Sequence, residues 1–219
     1  PKYDRHCCDL EKDDVEQKLA SDTPYVIRMK VPEGKSKIQD MIRGEVVIDH
    51  SEVDDQVILK SDGFPTYHLA VVVDDHFMEI TTVIRGEEWL PSTPKHLILF
   101  KMLGWDAPKF AHVPLLLNPD KSKLSKRQGD VAAESYLDRG YLPEAIVNFV
   151  STLGYNPTAD REIYEPDEFI DMFNLSKVKK SGAVVNFEKL DWMNKQYMME
   201  MDPDELKNRL KPFLKGDEG

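Results

Sequence analysis

Apolar positions are sparse and scattered over the first third of the chain and then thicken abruptly. Between residues 10 and 20, Leu10, Val15 and Leu19 stand alone among charges, a spacing that predicts a short surface helix. Residues 25–31 alternate and are stopped by Pro32-Glu33-Gly34; residues 42–48 and 56–60 follow with polar turns between them. Short irregular strands joined by charged turns read as a small α+β module. Past the turn-rich bridge Ser61-Asp62-Gly63-Phe64-Pro65-Thr66-Tyr67 the texture changes. Residues 68–73 are continuously apolar and β-branched, which predicts a central parallel strand covered on both faces. Asp74-Asp75-His76 ends it, at the place where open α/β sheets put ligand contacts.

Residues 80–84 are the next predicted strand, ending in Arg85-Gly86-Glu87-Glu88-Trp89. A helix follows with Ser92 or Thr93 as N-cap, Pro94 in the first turn, apolar Leu97, Ile98, Phe100 and Leu103, and Gly104 as its stop. Residues 112–117 read as a buried strand, so strand, helix and strand make one βαβ unit, only part of a doubly wound sheet. Beyond residue 131 the pattern is helical. Segments 132–139, 143–153, 166–173 and 186–199 are predicted helices, and Asp202 caps another.

Composition narrows the class. The chain has 219 residues, 41% of them apolar and 32% charged, as in a soluble globular protein with enough core for one large domain or two small ones. No apolar run approaches the roughly 20 residues that span a bilayer, and no leader-like segment opens the chain, so no membrane partner and a cytoplasmic address are expected. A net charge of -11 argues against general nucleic-acid coating, but two stretches are locally basic. One is the loop at residues 121–127. The other, residues 176–195, carries five lysines against two acids, and reads equally as a solvated helix face or as a stripe that positions one RNA. Cys7 and Cys8 are neighbours and imply no disulfide framework. Tyr3, His6, Cys7 and Cys8 are metal-capable, but a structural zinc site needs a second pair and the sequence has none, so no bound metal is expected.

The chemistry concentrates in Lys121-Ser122-Lys123-Leu124-Ser125-Lys126-Arg127, which follows the apolar run and an Asn118-Pro119-Asp120 turn. Ammonium groups, hydroxyls and free backbone N–H groups in such a loop can wrap a polyphosphate. Taken alone, a loop of this composition is more often a solvated surface loop.

Lys123-Leu124-Ser125-Lys126-Arg127 resembles the KMSKS signature of class I aminoacyl-tRNA synthetases. Asp62-Gly63-Phe64-Pro65-Thr66-Tyr67-His68, Val72-Val73-Asp74-Asp75-His76, Val83-Ile84-Arg85-Gly86-Glu87-Glu88 and Trp192-Met193-Asn194 extend the resemblance over essentially the whole chain, to bacterial-type glutamyl-tRNA synthetases. The resemblance implies an α/β fold: part of a Rossmann-like catalytic core, with an α+β inserted domain before it and an α-helical stem-contact domain after it. The corresponding divisions are residues 1–65 for the inserted domain that cradles the acceptor stem, 66–122 for the second half of the catalytic domain, 123–202 for the loop and stem-contact helices, and 203–219 for the start of an anticodon-binding region.

It also implies roles. Lys123, Ser125 and Lys126 would stabilise the phosphates of ATP during adenylate formation, with Trp89 beside adenosine. Arg85, able to fork onto a carboxylate, and Tyr67 would bind L-glutamate. Without the resemblance, Arg85 reads as a partner for Glu87 or Glu88, and Tyr67 and Trp89 as core aromatics. Asp74, Asp75 and His76 read as site architecture. Lys177, Lys179 and Lys180 would contact the phosphates of tRNA-Glu, and Mg²⁺ would accompany ATP. Some family members carry a zinc knuckle whose second half resembles residues 3–7, its first half expected before residue 1, so Tyr3 and Cys7 read as the remnant of a ligand pair or of a family branch that lost the site.

No histidine stands in the H-x-G-H context that accompanies the KMSKS loop in this class. The resemblance therefore implies an internal piece of an enzyme more than twice this length, lacking the first half of the nucleotide-binding fold and the anticodon-binding helices. The piece is expected to be inactive by itself, the whole enzyme to be a monomer, and the exposed half-sheet to leave self-association open. Two other readings stand beside this one: a non-catalytic tRNA-binding module, and a paralogue that glutamylates a modified tRNA base.

Overall fold

The computed structural model describes residues 2–124, 132–158 and 160–213. The chain divides into two units, residues 1–112 and 113–219.

The first unit opens with a single helical turn at His6–Asp9 and helix α1 (Lys12–Ala20), which buries none of its residues. Strands β1 (Ile27–Arg28), β2 (Lys35–Asp40), β3 (Gly44–Asp49) and β4 (Val57–Leu59) follow. Then come helix α2 (Tyr67–Phe77), strand β5 (Thr82–Gly86), a helical turn at Glu87–Ser92, helix α3 (Thr93–Leu103) and strand β6 (Lys109–Val113). β1 and β4 form a two-stranded antiparallel pair, while the main sheet runs β3-β2-β6-β5. β2 and β3 are antiparallel, in register from Lys35↔Asp49 to Asp40↔Gly44; β2 and β6 are parallel at Asp40↔Phe110. Strands that precede residue 65 and strands that follow it thus share one sheet, a mixed α/β arrangement.

Residues 68–73 are not a strand. They lie in α2, and this corrects the sequence reading. A short apolar run fits a buried helix as well as a strand by periodicity. Here Thr66 occupies the N-cap, and His68 and Val72, four residues apart, form the buried face. α2 packs on α3, and Val72 joins Met29, Val31, Val53, Ile98, Leu99 and Phe100 in the core of the unit. That packing outweighs the β preference of three consecutive valines. Asp74, Asp75 and His76 consequently fall in the last turn of a helix, not after a strand.

α3 forms where its caps predict, with Ser92 at the N-cap, Pro94 in the first turn and Gly104 in the left-handed conformation (φ 74°). The expected single strand over residues 112–117 is two strands. β6 ends at Val113, Pro114 cannot donate to a ladder, and β7 (Leu116–Leu117) belongs to the second unit.

In the second unit β7 pairs in parallel with β8 (Ala183–Val184), through Ala183 N–H to Leu115 O (2.9 Å) and Val185 N–H to Leu117 O (2.8 Å). A Cβ on Gly182 would lie 2.5 Å from Leu117 Cδ1, so this close approach requires glycine or a shift of Leu117. Helices α4 (Ala133–Asp138), α5 (Pro143–Thr152), α6 (Pro166–Met172), α7 (Phe187–Glu200) and α8 (Pro203–Leu210) supply the rest. Their core joins Tyr141, Phe149, Val185, Leu190 and Met193. Asn148 ties three segments: its amide donates to Glu162 O (2.9 Å), and its carbonyl accepts from Tyr164 N–H (2.8 Å) and the Tyr197 hydroxyl (2.9 Å). Asp202 caps α8 by accepting from the N–H groups of Asp204 and Glu205. Among the described residues, no helix is long and apolar enough to cross a membrane.

Candidate functional site

In the first unit, Arg85 on β5, Tyr67 at the start of α2 and Trp89 in the turn after β5 come together. The Tyr67 and Trp89 rings lie 5.0 Å apart, and the Arg85 guanidinium carbon sits 6.0 Å from the Trp89 ring and 5.4 Å from that of Phe110. Tyr67 is 50% exposed, which rules it out as a core aromatic. Glu87 forms an ion pair with Arg43, not with Arg85, and the Glu88 carboxylate lies over Gly86.

Arg85 is held by neutral groups. Its Nε donates to His112 Nε2 (3.1 Å), Nη1 to His96 Nδ1 (3.2 Å) and Nη2 to Thr93 Oγ1 (2.9 Å). A guanidinium has donors only, so both histidine nitrogens must carry lone pairs. The tautomers follow. His96 bears its proton on Nε2 and donates to His68 Nδ1 (2.9 Å); His112 bears its proton on Nδ1 and donates to Asp40 (2.6 Å). Thr93 accepts from Arg85, and its own proton has two acceptors in reach, Trp89 O (3.3 Å) and His112 Nε2 (3.2 Å).

The electrostatics agree with these assignments. Burial, reinforced by the nearby Arg85 charge, pushes His96 down to about 3. Burial also lowers His112, outweighing the pull of Asp40, and lowers His68. Burial alone would raise Asp40, but His112 and the backbone N–H groups of Arg43, Ile42 and His112 more than offset it, and its carboxyl is held below the ordinary range. Arg85 is lowered by burial against favourable contributions from Tyr67 and Asp75, and a guanidinium so shifted still carries its charge at neutral pH. Burial raises Asp75, with Arg85 opposing. The site therefore holds a permanent cation among uncharged histidines.

The sequence reading did not single out His68, His96, His112 or Asp40, and read Thr93 only as a cap. The one signal available was a histidine inside each of three apolar runs: His68 before the valines, His96 in α3 and His112 in β6.

The lysine candidates lie in the second unit. Lys123 is exposed, and its backbone bridges to Leu117 across a turn closed by Lys121 N–H to Asn118 O (2.8 Å) and by Ser122 to Asp120. Lys121 adopts a left-handed conformation (φ 66°) in that turn. Ser125 and Lys126, with Arg127, lie outside the described residues. Lys177, Lys179 and Lys180 are exposed; Lys177 ends a helical turn capped by Asn174, and Lys179 N–H bonds Gly154 O (2.8 Å). Lys179 and Lys189 line an open depression with Ser181, Gly182 and Asn186. At the start of the chain, Cys7 N–H donates to the Tyr3 hydroxyl (3.2 Å), and both cysteines are exposed thiols. Among the described residues, no group of three or more His, Cys, Asp or Glu side chains is arranged to hold a metal ion.

Known proteins resemble this chain closely. The glutamate–tRNA ligase of Prosthecochloris aestuarii is 52% identical over 98% of the chain and 44% of its own length, and that of Alkaliphilus metalliredigens is 49% identical over 97% and 43%. The crystal structure of the glutamate–tRNA synthetase of Elizabethkingia anophelis superposes with a TM-score of 0.88 at 41% identity, covering 97% of this chain and 48% of that one. A glutamate–tRNA ligase from Elizabethkingia meningosepticum in complex with its amino acid gives the same score and identity. The chain spans less than half the length of these curated relatives. Residues 1–192 match the model of the class I tRNA synthetases (E and Q), catalytic domain, and the chain belongs to that family.

Proposed function

We propose that this chain supplies the second half of the active centre, and the adjoining stem-contact part, of a cytoplasmic glutamate–tRNA ligase. In that reaction a carboxylate oxygen of glutamate attacks the α-phosphate of ATP, giving glutamyl-adenylate and pyrophosphate. The terminal ribose hydroxyl of tRNA-Glu then attacks the glutamyl carbonyl, forming the aminoacyl ester and releasing AMP. The observation that carries the reading is Arg85: a charged guanidinium, hydrogen-bonded to neutral acceptors, beside an exposed Tyr67. Such a group can fork onto a carboxylate of L-glutamate, with Tyr67 shaping the pocket. Trp89 offers a ring face for adenosine. Lys123, with Ser125 and Lys126, would oppose the charge on the phosphates, and Lys177, Lys179 and Lys180 would meet tRNA phosphates. These contributions are positioning and electrostatic. Magnesium accompanying ATP would neutralise phosphate charge at this site.

The division of labour along the chain follows the resemblance: an inserted acceptor-stem part through residue 65, a partial Rossmann-like core through 122, and stem-contact helices to 202 ahead of an anticodon-binding region. The whole enzyme would act as a monomer.

The test is ATP–pyrophosphate exchange with glutamate on the 219-residue chain, run beside electrophoretic retention of tRNA-Glu at two salt concentrations. The expected result is no exchange and salt-sensitive retention that weakens when Lys177, Lys179 and Lys180 are changed to Gln. Exchange above background would overturn the assignment of a half site. Absence of tRNA retention would overturn the stem-contact assignment.

A further inference from the structure

We propose that His96, Thr93 and His112 are positioning residues for Arg85, forming an uncharged collar that fixes the guanidinium while keeping its positive charge available to a carboxylate ligand. This rests on the reading of Arg85 as the carboxylate anchor and adds what keeps that anchor available.

A half-buried arginine is ordinarily fixed by an acid, and that fixes its charge as well. Here Glu87 and Asp40 are engaged elsewhere, and Asp75 acts on the guanidinium without forming an ion pair with it. Glu87 pairs with Arg43. Asp40 is kept one imidazole away: it accepts from His112 Nδ1 and from the N–H groups of Ile42 (3.0 Å) and Arg43 (2.8 Å), while the far nitrogen of the same ring faces Arg85. Asp75, on α2, acts on Arg85 through space, and its own burial favours its neutral form.

The collar takes one N–H from each guanidinium nitrogen. Of five N–H groups, two lie outside the collar, one on each terminal nitrogen and beside the Tyr67 hydroxyl, and a bidentate carboxylate takes two. The Trp89 and Phe110 rings add attraction without adding a negative charge. The orientation is locked from behind. His96 donates to His68, and His112 donates to Asp40, so neither ring can change tautomer without setting a ring N–H against an Arg85 N–H. His96 and His112 are 2% and 0% exposed, which keeps water from competing for these lone pairs.

The test is side-chain NMR on the ¹⁵N-labelled 219-residue chain and its variants. In the wild type at neutral pH, His96 Nδ1 and His112 Nε2 are expected to read as unprotonated, with Nε2–H and Nδ1–H on the opposite nitrogens; a doubly protonated ring or the reverse tautomer at either position overturns the collar. The Arg85 Nε–H resonance is then followed during titration with L-glutamate. His96→Asn, which keeps an acceptor facing Nη1, should retain a saturable shift. His96→Glu gives Arg85 a carboxylate partner; its resonance should stay sharp, and glutamate affinity should fall about tenfold or more. A purely structural role for His96 predicts the opposite order, with the ion-paired variant binding as well as the wild type, and that result overturns the proposal. If the tautomers are as stated but the wild-type Arg85 resonance ignores glutamate, the anchor role of Arg85 fails while the collar stands on the tautomer measurement.

Discussion

Arg85 Nη1 lies 3.2 Å from His96 Nδ1, and because the guanidinium can only donate, that single contact requires a neutral His96. The same logic at 3.1 Å requires a neutral His112. Folding therefore depends on keeping protons off these rings.

The first prediction is a loss of stability on mild acidification. His96 is about 3 when folded and about 6.5 when unfolded, so between those values the unfolded chain binds the extra proton. Its contribution is fully present above about pH 6.5 and is lost as pH falls towards 3. At pH 5.5 the unfolded ring is about ten-to-one protonated, a loss of about 1.4 kcal/mol from His96 alone. His68 and His112, also lowered, act with the same sign, while Asp75, raised by burial, acts against them. Asp40, and Asp55, which accepts from Arg5 and from the Val31 N–H, have carboxyls held below the ordinary range and lose their contribution only below about pH 4, outside this window. Urea unfolding of the first unit at pH 7 and 5.5 checks this; a midpoint that does not move contradicts it.

Asp40→Asn should be costly despite its near-identical shape. The carboxylate accepts from the backbone N–H groups of Ile42, Arg43 and His112 as well as from His112 Nδ1. An amide has one acceptor oxygen, and its NH₂ would meet either a backbone N–H or the His112 proton. The expected loss is about 3 kcal/mol by denaturant titration, accompanied by a change in the His112 tautomer seen by NMR. A loss under about 1 kcal/mol would mean that Asp40 is not what fixes the ring.

Asn148→Leu tests the second unit separately. The substitution removes one donor and one acceptor that serve Glu162 O, Tyr164 N–H and the Tyr197 hydroxyl, leaving those groups buried without their partner. The expected cost is about 2–3 kcal/mol in thermal or urea unfolding of that unit. A neutral or stabilising outcome would show that the apolar side chain is accommodated and the network is dispensable.

The elements legible in the sequence are those set by local chemistry. Pro94 and Gly104 bracket α3, Pro143 opens α5, and Asp202 caps α8, because caps and breakers act on their own few residues. Strand β2 was not legible. Its alternation is present, with Ser36, Ile38 and Asp40 buried, but only Ile38 is apolar. Ser36 and Asp40 are buried because they find His50 and His112, partners 14 and 72 residues away. α2 failed for the converse reason: its local β preference is overridden by packing on α3. The site divides in the same way. Tyr67, Arg85 and Trp89 were picked out by resemblance and do lie together. The histidines around Arg85 were not, since a histidine in an apolar run shows its partner only once the chain is folded.

The most direct test of the central claim is calorimetric titration of L-glutamate into the 219-residue chain and into Arg85→Lys. Lysine keeps the charge but concentrates it on one nitrogen, which cannot serve three collar acceptors and a two-pronged carboxylate together. The account predicts saturable binding to the wild-type chain and about tenfold or greater weakening in Arg85→Lys. Equal affinity in the two proteins, or no binding to the wild-type chain, would contradict it.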